Sequence, residues 1–112
     1  MPGSDDTVVT HDTGHHRYEI LVGGTVVGRA EYVDAHEQRI FHHTVIDPAH
    51  EGHGLGSTLV RFALDDTRAA GQRIVPVCPY VRHWVATHQG WADILDLVTP
   101  DAVATARRWS AR

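Results

Sequence analysis

Residues 44–58 read Thr-Val-Ile-Asp-Pro-Ala-His-Glu-Gly-His-Gly-Leu-Gly-Ser-Thr, and the reading of this stretch decides the fold. It sets an apolar strand end, Thr44 to Ile46, before a proline break at Pro48 and three alternating glycines, Gly52, Gly54 and Gly56. A run with helical periodicity follows directly. A strand that empties through glycines into a helix suits an anion, because glycines let backbone N–H groups turn inward and the helix N-terminus adds partial positive charge. The ligand expected here carries a phosphate or pyrophosphate.

Spacing separates three phosphate loops. A Walker loop needs Gly-x-x-x-x-Gly-Lys-Ser/Thr, and the chain has no lysine. A dinucleotide fingerprint needs Gly-x-Gly-x-x-Gly with an acidic residue about 20 positions on, closing a second strand. Here Gly52-x-Gly54 is followed by Ser57, and the next strand-like run, Ile74 to Val77, carries no acid. The third loop is the acetyl-CoA loop of the GNAT superfamily of N-acetyltransferases, Arg/Gln-x-x-Gly-x-Gly/Ala after a Val-x-Pro strand end. Ile46-Asp47-Pro48 and Gly54-Leu55-Gly56 resemble it closely. The departure is Glu51, where that family usually has Arg or Gln. A carboxylate beside a pyrophosphate is repelled, so Glu51 is expected to point away and leave the phosphates to backbone amides.

Upstream of the loop the period is that of strands. Arg17 to Val22 reads as a strand, Gly23-Gly24 supplies the positive-φ pair of a tight turn, and Thr25 to Val33 returns. Asp34 to Gln38 is turn-like, and Arg39 to Ile46 is the strand that enters the loop. Val8 to Thr13 suits a short edge strand, and residues 1–7 read as frayed.

Downstream, Leu55, Leu59, Phe62, Ala63 and Ala70 form the apolar stripe of a helix, with Asp65, Asp66 and Arg68 on the wetter side and Gly71 as C-cap. Arg73 to Cys78 is long enough for a strand and too short for a helix. Strand, helix and strand in this order imply a right-handed crossover, so the last strand lies parallel to Arg39–Ile46 and the two strand ends splay around the ligand. A short helix follows from Pro79, with Val81, Trp84, Val85 and His88 on one face and a stop at Gly90. Thr99 to Arg112 reads as an added C-terminal helix, with Ala102, Val103, Ala106 and Trp109 on one face.

The element Val77-Cys78-Pro79-Tyr80-Val81, with an aromatic and a His-x-x-aromatic after it, resembles a small single-domain GNAT branch, little more than the acetyl-CoA half of a full acetyltransferase. Gly28-Arg29-Ala30-Glu31-Tyr32 and the strand carrying Phe41, Thr44 and Ile46 match it too, so that the resemblance covers roughly residues 16 to 95. It implies an α/β (α+β) fold: a mixed, mainly antiparallel sheet with a splayed parallel strand pair, flanked by helices. The expected organisation is a flexible N-terminus or edge strand over 1–15, an acetyl-CoA-binding domain over 16–98, and a C-terminal helix over 99–112 belonging to the same domain.

The resemblance also implies roles. Thr44, Val45 and Ile46 face the pantetheine and the acetyl carbonyl. Glu51, Gly52, His53, Gly54, Leu55, Gly56 and Ser57 take the pyrophosphate, with Cys78, Pro79 and His83 completing the cofactor site. Acetyl transfer from a thioester needs a neutral amine, a polarised carbonyl and a proton for the departing thiolate. Tyr80 is the candidate proton donor, or else an aromatic at the edge of the core. Cys78, at a helix N-terminus, is either a nucleophile or a small buried hydrophobe. His43 on the strand, or His83 or His88 on the helix, is the candidate base.

Composition bounds the rest. A chain of 112 residues with 42% hydrophobic content builds one domain. Its formal charge is -4 and its ten basic residues are arginines scattered along it, so no basic patch marks a nucleic-acid partner. No apolar run approaches the ~18 residues of a membrane span, no signal-peptide order is present, and one cysteine suits a reducing, cytoplasmic setting. The missing lysine and asparagine look like the bias of a GC-rich, bacterial genome. Ten histidines raise the question of a metal, yet His42 and His43 fall on opposite strand faces and no His/Cys spacing matches zinc.

Two functions follow. The first is an N-acetyltransferase moving acetyl from acetyl-CoA to a primary amine on a small molecule, peptide or protein, by direct attack. The alternative is a non-catalytic CoA-binding or partner-regulated module, favoured by the short chain. A monomer or weak homodimer is expected, since an exposed edge strand can pair with another chain.

Overall fold

The computed structural model describes residues 6–110. Five strands form one sheet in the order β1 (Thr7–Asp12), β2 (Arg17–Val22), β3 (Thr25–Ala35), β4 (Gln38–Ile46) and β5 (Arg73–Pro76). The first four pair antiparallel, and β5 lies parallel to β4. Helix α1 (Leu55–Ala69) crosses between β4 and β5, α2 (Pro79–Thr87) follows β5, and α3 (Pro100–Ser110) closes the chain. The mixed, mainly antiparallel sheet expected from the sequence is present, with its one parallel pair. The fraying expected of residues 1–7 lies, for residues 1–5, outside the described residues.

Local chemistry explains the pairing. Gly23 and Gly24 take φ of 57° and 81°, the left-handed pair that joins β2 to β3. The turn between β3 and β4 is tighter than the polar run suggests: it consists of His36 and Glu37 alone, both at positive φ without being glycine. Two bulges bend the sheet. One lies between Ile20 and Leu21, and the other stands opposite Glu31 and Tyr32, where the ladder passes from His43 to Phe41 and skips His42.

The sheet has a core on each face. On one side α1 and α2 cover Tyr18, Ile20, Phe41, Leu59, Leu64, Ile74 and Trp84. On the other, α3 covers Val33, Ile40 and Val75 through Ala102 and Ala106. The buried face of α1 is Gly56, Leu59, Val60, Ala63, Leu64 and Thr67, turned from the expected stripe. Phe62 is 41% exposed and Ala70 lies outside the buried face. Asp66 does not take the wetter side either: it accepts a hydrogen bond from the Tyr18 hydroxyl at 2.7 Å. β5 is also shorter than expected, because beyond Pro76 the chain leaves the ladder at Val77 and Cys78. Its outer edge is met by Leu95, with the Asp96 N–H donating to the Ile74 carbonyl at 2.8 Å.

Candidate functional site

The β4–β5 ladder ends where Phe41 faces Pro76, and the Cys78 N–H closes it by donating to the Phe41 carbonyl at 2.8 Å. From His42 onward β4 runs free of β5, so the backbone of Thr44, Val45 and Ile46 borders an opening. The far side of β4 is held, since the Asp47 N–H donates to the Val27 carbonyl at 2.7 Å. Gly28 stands opposite Ile46 because a Cβ there would lie 2.9 Å from the Val45 carbonyl oxygen. Asp47 then caps a single 3-10 turn, Pro48–His50, its carboxylate accepting the Ala49 N–H at 3.0 Å.

The glycine loop reverses the chain into α1. Gly52 and Gly54 take φ of 85° and 76°, and Gly54 is the N-cap of α1. No side chain caps it, so the first-turn N–H groups of α1, at Leu55, Gly56 and Ser57, face outward at the positive end of the helix. Ser57 is held by the Trp84 indole, which donates to its hydroxyl at 2.9 Å. Gly56 has to be glycine for a different reason: the Tyr80 hydroxyl occupies the place of its Cβ.

These parts meet on a cavity of about 450 Å³ lined by Thr44, Val45 and Ile46 from β4, His50, Glu51, Gly52 and Gly54 to Ser57 from the loop and helix, and Tyr80. Burial first, then the neighbouring Cys78 sulfur and Glu51 carboxylate, push the Tyr80 hydroxyl pKa above its ordinary value, so it stays protonated at neutral pH. Glu51 is exposed and borders the cavity. The other candidates fall outside this lining. His53 is exposed in the loop and His43 is exposed on β4. Cys78 is 4% exposed, and its thiol donates to the Thr44 hydroxyl at 3.5 Å. Pro79 and His83 open with Tyr80 on a neighbouring depression of about 520 Å³ that also takes in Trp84 and His88.

Two lining features escaped the sequence reading. His50 borders the cavity with a buried Nδ1 that makes no hydrogen bond, and it reads in sequence as an ordinary loop residue. The Trp84–Ser57 hydrogen bond joins residues 27 apart that no motif links.

The comparisons agree with this fold. A family model described as GCN5-related N-acetyl-transferase matches residues 17–94. Nothing among curated proteins matches the chain. Among solved structures it is similar to the ribosomal-protein-S18-alanine N-acetyltransferase from Escherichia coli, with TM-score 0.50, 14% identity, and coverage of 62% of this chain and 41% of that one. It is also similar to a GNAT family acetyltransferase from Brucella melitensis in complex with acetyl-CoA, with TM-score 0.50, 22% identity, and coverage of 62% and 51%. At these identities the likeness is one of fold, and this chain spans about half or less of those proteins. The family match, over most of a chain folded in this way, shows that it belongs to the GCN5-related N-acetyltransferase family.

Proposed function

We propose that the chain transfers the acetyl group of acetyl-CoA to a primary amine, by direct attack of the amine on the thioester. The observation that carries this reading is the single cavity on which the parted end of β4, the glycine loop and Tyr80 meet, in a chain of this family. In this reading the N–H groups from Gly52 to Ser57 hold the pyrophosphate, and His53 flanks it from the loop. Thr44, Val45 and Ile46 lie along the pantetheine and the acetyl carbonyl. The ligand continues past Tyr80 toward Pro79 and His83. As the C–N bond forms and the C–S bond breaks, the Tyr80 hydroxyl, protonated at neutral pH, gives its proton to the departing thiolate.

Cys78 forms part of the wall in this scheme. Its thiol is buried against the Thr44 hydroxyl. Cys78→Ser therefore keeps turnover. Loss of turnover with acetyl-CoA binding retained would instead make Cys78 an acetyl-carrying nucleophile.

The deciding experiment is calorimetric titration with acetyl-CoA and with CoA, beside Gly54→Glu, followed by thiol release in the presence of amines. Saturable binding near one per chain, lost in the variant, with thiol released only when an amine is present, supports the transferase. A second reading is a module that binds CoA without turnover; the chain spans only 41% and 51% of the structural neighbours named above. Binding without thiol release from any amine would select it. We read the chain as a monomer or weak homodimer through β1, the end strand of the sheet, which sedimentation at several concentrations checks.

A further inference from the structure

The two cores do not cover the sheet evenly. The core under α3 takes Val33 and Ala35 from the end of β3, with Ile40 of β4 and Val75 of β5, and among the described residues no side chain of β1 or β2 enters it. Tyr18 and Ile20 of β2, Ala30 of β3 and Val9 of β1 belong to the core under α1 and α2. Side chains alternate along a strand, so Arg17, Glu19 and Leu21, Arg29 and Glu31, and Val8 and Thr10 take the other face. That half of the face is open to water. Val8 is 52% and Val26 47% exposed.

The register turns these residues into a pattern. Arg17 faces Glu31, Glu19 faces Arg29 and Leu21 faces Val26 across the β2–β3 pair. Along the strands, Arg17 pairs with Glu19 at 2.9 Å and Arg29 with Glu31 at 2.6 Å. Cations and anions thus stand at alternate corners of a rectangle, with an apolar row beside it. Val8 extends that row from Leu21, and Val45 of β4 stands opposite Arg29.

Such a pattern is complementary to its own copy. Half a turn about a line lying in the face, along the strands and between β2 and β3, exchanges the two strands. Arg17 then meets the partner's Glu31, Glu19 meets the partner's Arg29, and Leu21 meets the partner's Val26. On the outer strands Thr10 meets the partner's Val45. An axis across the strands would also oppose the charges, but the row beyond Glu31 leads to Val33, where α3 already lies. Stacked sheets sit ~10 Å apart with their strands ~30° off parallel, a gap and an offset that Arg and Glu side chains span.

We propose that this open half-face of β1, β2 and β3 seats a second copy of the chain, face to face about that two-fold axis. β1 contributes its face to the contact and not the hydrogen-bonding groups of its outer edge. A foreign partner would have to carry the opposite pattern, whereas a copy carries it by symmetry. Each guanidinium keeps its own glutamate and gains the partner's, so no charge is buried alone. A patch four strands wide and three facing residues long covers roughly 400 Å² on each copy, which places the dimer in the weak, transient class. The inference stands apart from what the glycine-loop cavity binds.

Sedimentation of the full chain from micromolar to millimolar concentration should show reversible dimerisation that weakens as salt rises. Two charge variants read the pairing: Arg17→Glu with Arg29→Glu, and Glu19→Arg with Glu31→Arg. Each alone should associate roughly tenfold more weakly, because like charges then face one another, and an equal mixture should form a heterodimer tighter than either homodimer. Val26→Asp, at an exposed position outside both cores, should also weaken the dimer roughly tenfold. In NMR spectra of the unmodified chain, the amide signals of Leu21, Val26 and Arg29 should move with concentration. A chain that stays monomeric at millimolar concentration overturns the proposal. So does a dimer that Val26→Asp leaves unchanged, or one whose shifting signals lie on α3. If the charge variants melt near the unmodified chain and their mixture still does not associate, the proposal also falls.

Discussion

At the scale of the residue, Glu51 holds the most informative place. It stands where the family's loop usually carries Arg or Gln, and it borders the cavity with its charge felt at Tyr80. A carboxylate at the rim of a pyrophosphate site repels it, though water screens much of the effect. Glu51→Gln should therefore tighten acetyl-CoA roughly three- to tenfold, about 1 kcal/mol, and the gain should shrink at high salt. Titration at two salt concentrations checks this, and an unchanged affinity would mean that the carboxylate faces water. Gly56 gives the complementary case. Gly56→Ala pushes a methyl group into the Tyr80 hydroxyl, so the ring has to swing and the loop has to shift. Binding of acetyl-CoA should weaken at least tenfold with little change in melting temperature, since the clash lies at a cavity edge rather than in the core. The glycine spacing was legible in the sequence because backbone freedom has few substitutes. The Tyr80 contact with Gly56 and the Trp84 tie to Ser57 were not, because each joins α2 to α1 across the fold.

At the scale of the element, α1 shows why an apolar stripe misplaces a helix face. Thr67 is fully buried because its hydroxyl donates to the Ala63 carbonyl at 2.7 Å. Asp66 is drawn inward by a cluster at the far end of the sheet. There Arg39 donates twice to Asp34 at 2.8 and 2.9 Å and once to the Tyr18 hydroxyl at 2.7 Å, while its guanidinium lies 4.4 Å from the Tyr32 ring centre. Polarity is visible in a sequence; a partner 48 residues away, as Tyr18 is from Asp66, is not. Removing Arg39 would take the buried guanidinium's hydrogen bond from Tyr18 and leave a hole beside two tyrosines, while the exposed Asp34 turns to water, so Arg39→Ala should cost roughly 2–4 kcal/mol, measured by denaturant unfolding.

His11 ties β1 into the same cluster. Nδ1 lies 3.0 Å from Asp66, Nε2 lies 2.6 Å from the Tyr32 hydroxyl, and the ring stacks on Tyr18 at 4.2 Å. The neutral ring satisfies both neighbours, donating to the carboxylate and accepting from the phenol. Burial lowers its pKa below the ordinary 6.5, outweighing Asp66, with Arg39 adding to the lowering and Asp34 and Asp12 opposing it. The unfolded chain then binds more protons than the folded one, so the contribution of His11 is complete above pH 6.5 and is lost as pH falls toward the folded value. The melting temperature should fall from pH 7.5 to 5.5, and His11→Phe should flatten that fall. An equal slope in the variant would assign it to other histidines, His42 first, whose pKa burial also lowers.

At the scale of the whole molecule, the question is whether α3 is an appendage or half of the fold. The glycine loop, the hairpin and the crossover were legible because each is local or follows from handedness. The dependence of the sheet's second face on α3 was not, because the helix reads as an extension beyond the family's span, which ends at residue 94. In the structure Val33, Ile40 and Val75 have α3 as their cover, through Ala102 and Ala106, with Val77, Val98 and Trp109 packed around them. The Trp109 ring also meets His16 at 4.4 Å, reaching the loop between β1 and β2. A chain stopped after Val98 exposes that apolar face, at a cost on the order of 4 kcal/mol, much of the margin of a small domain. It should melt at least ten degrees lower or bind a hydrophobic dye at room temperature. If the shortened chain kept its melting point, the sheet would be stable with one face open and α3 would be an added surface element. If it lost stability but recovered acetyl-CoA binding on cooling, the donor cavity would be shown to form independently of α3. That result would fit a division in which α1 and α2 build the cavity's face of the sheet and α3 covers the other.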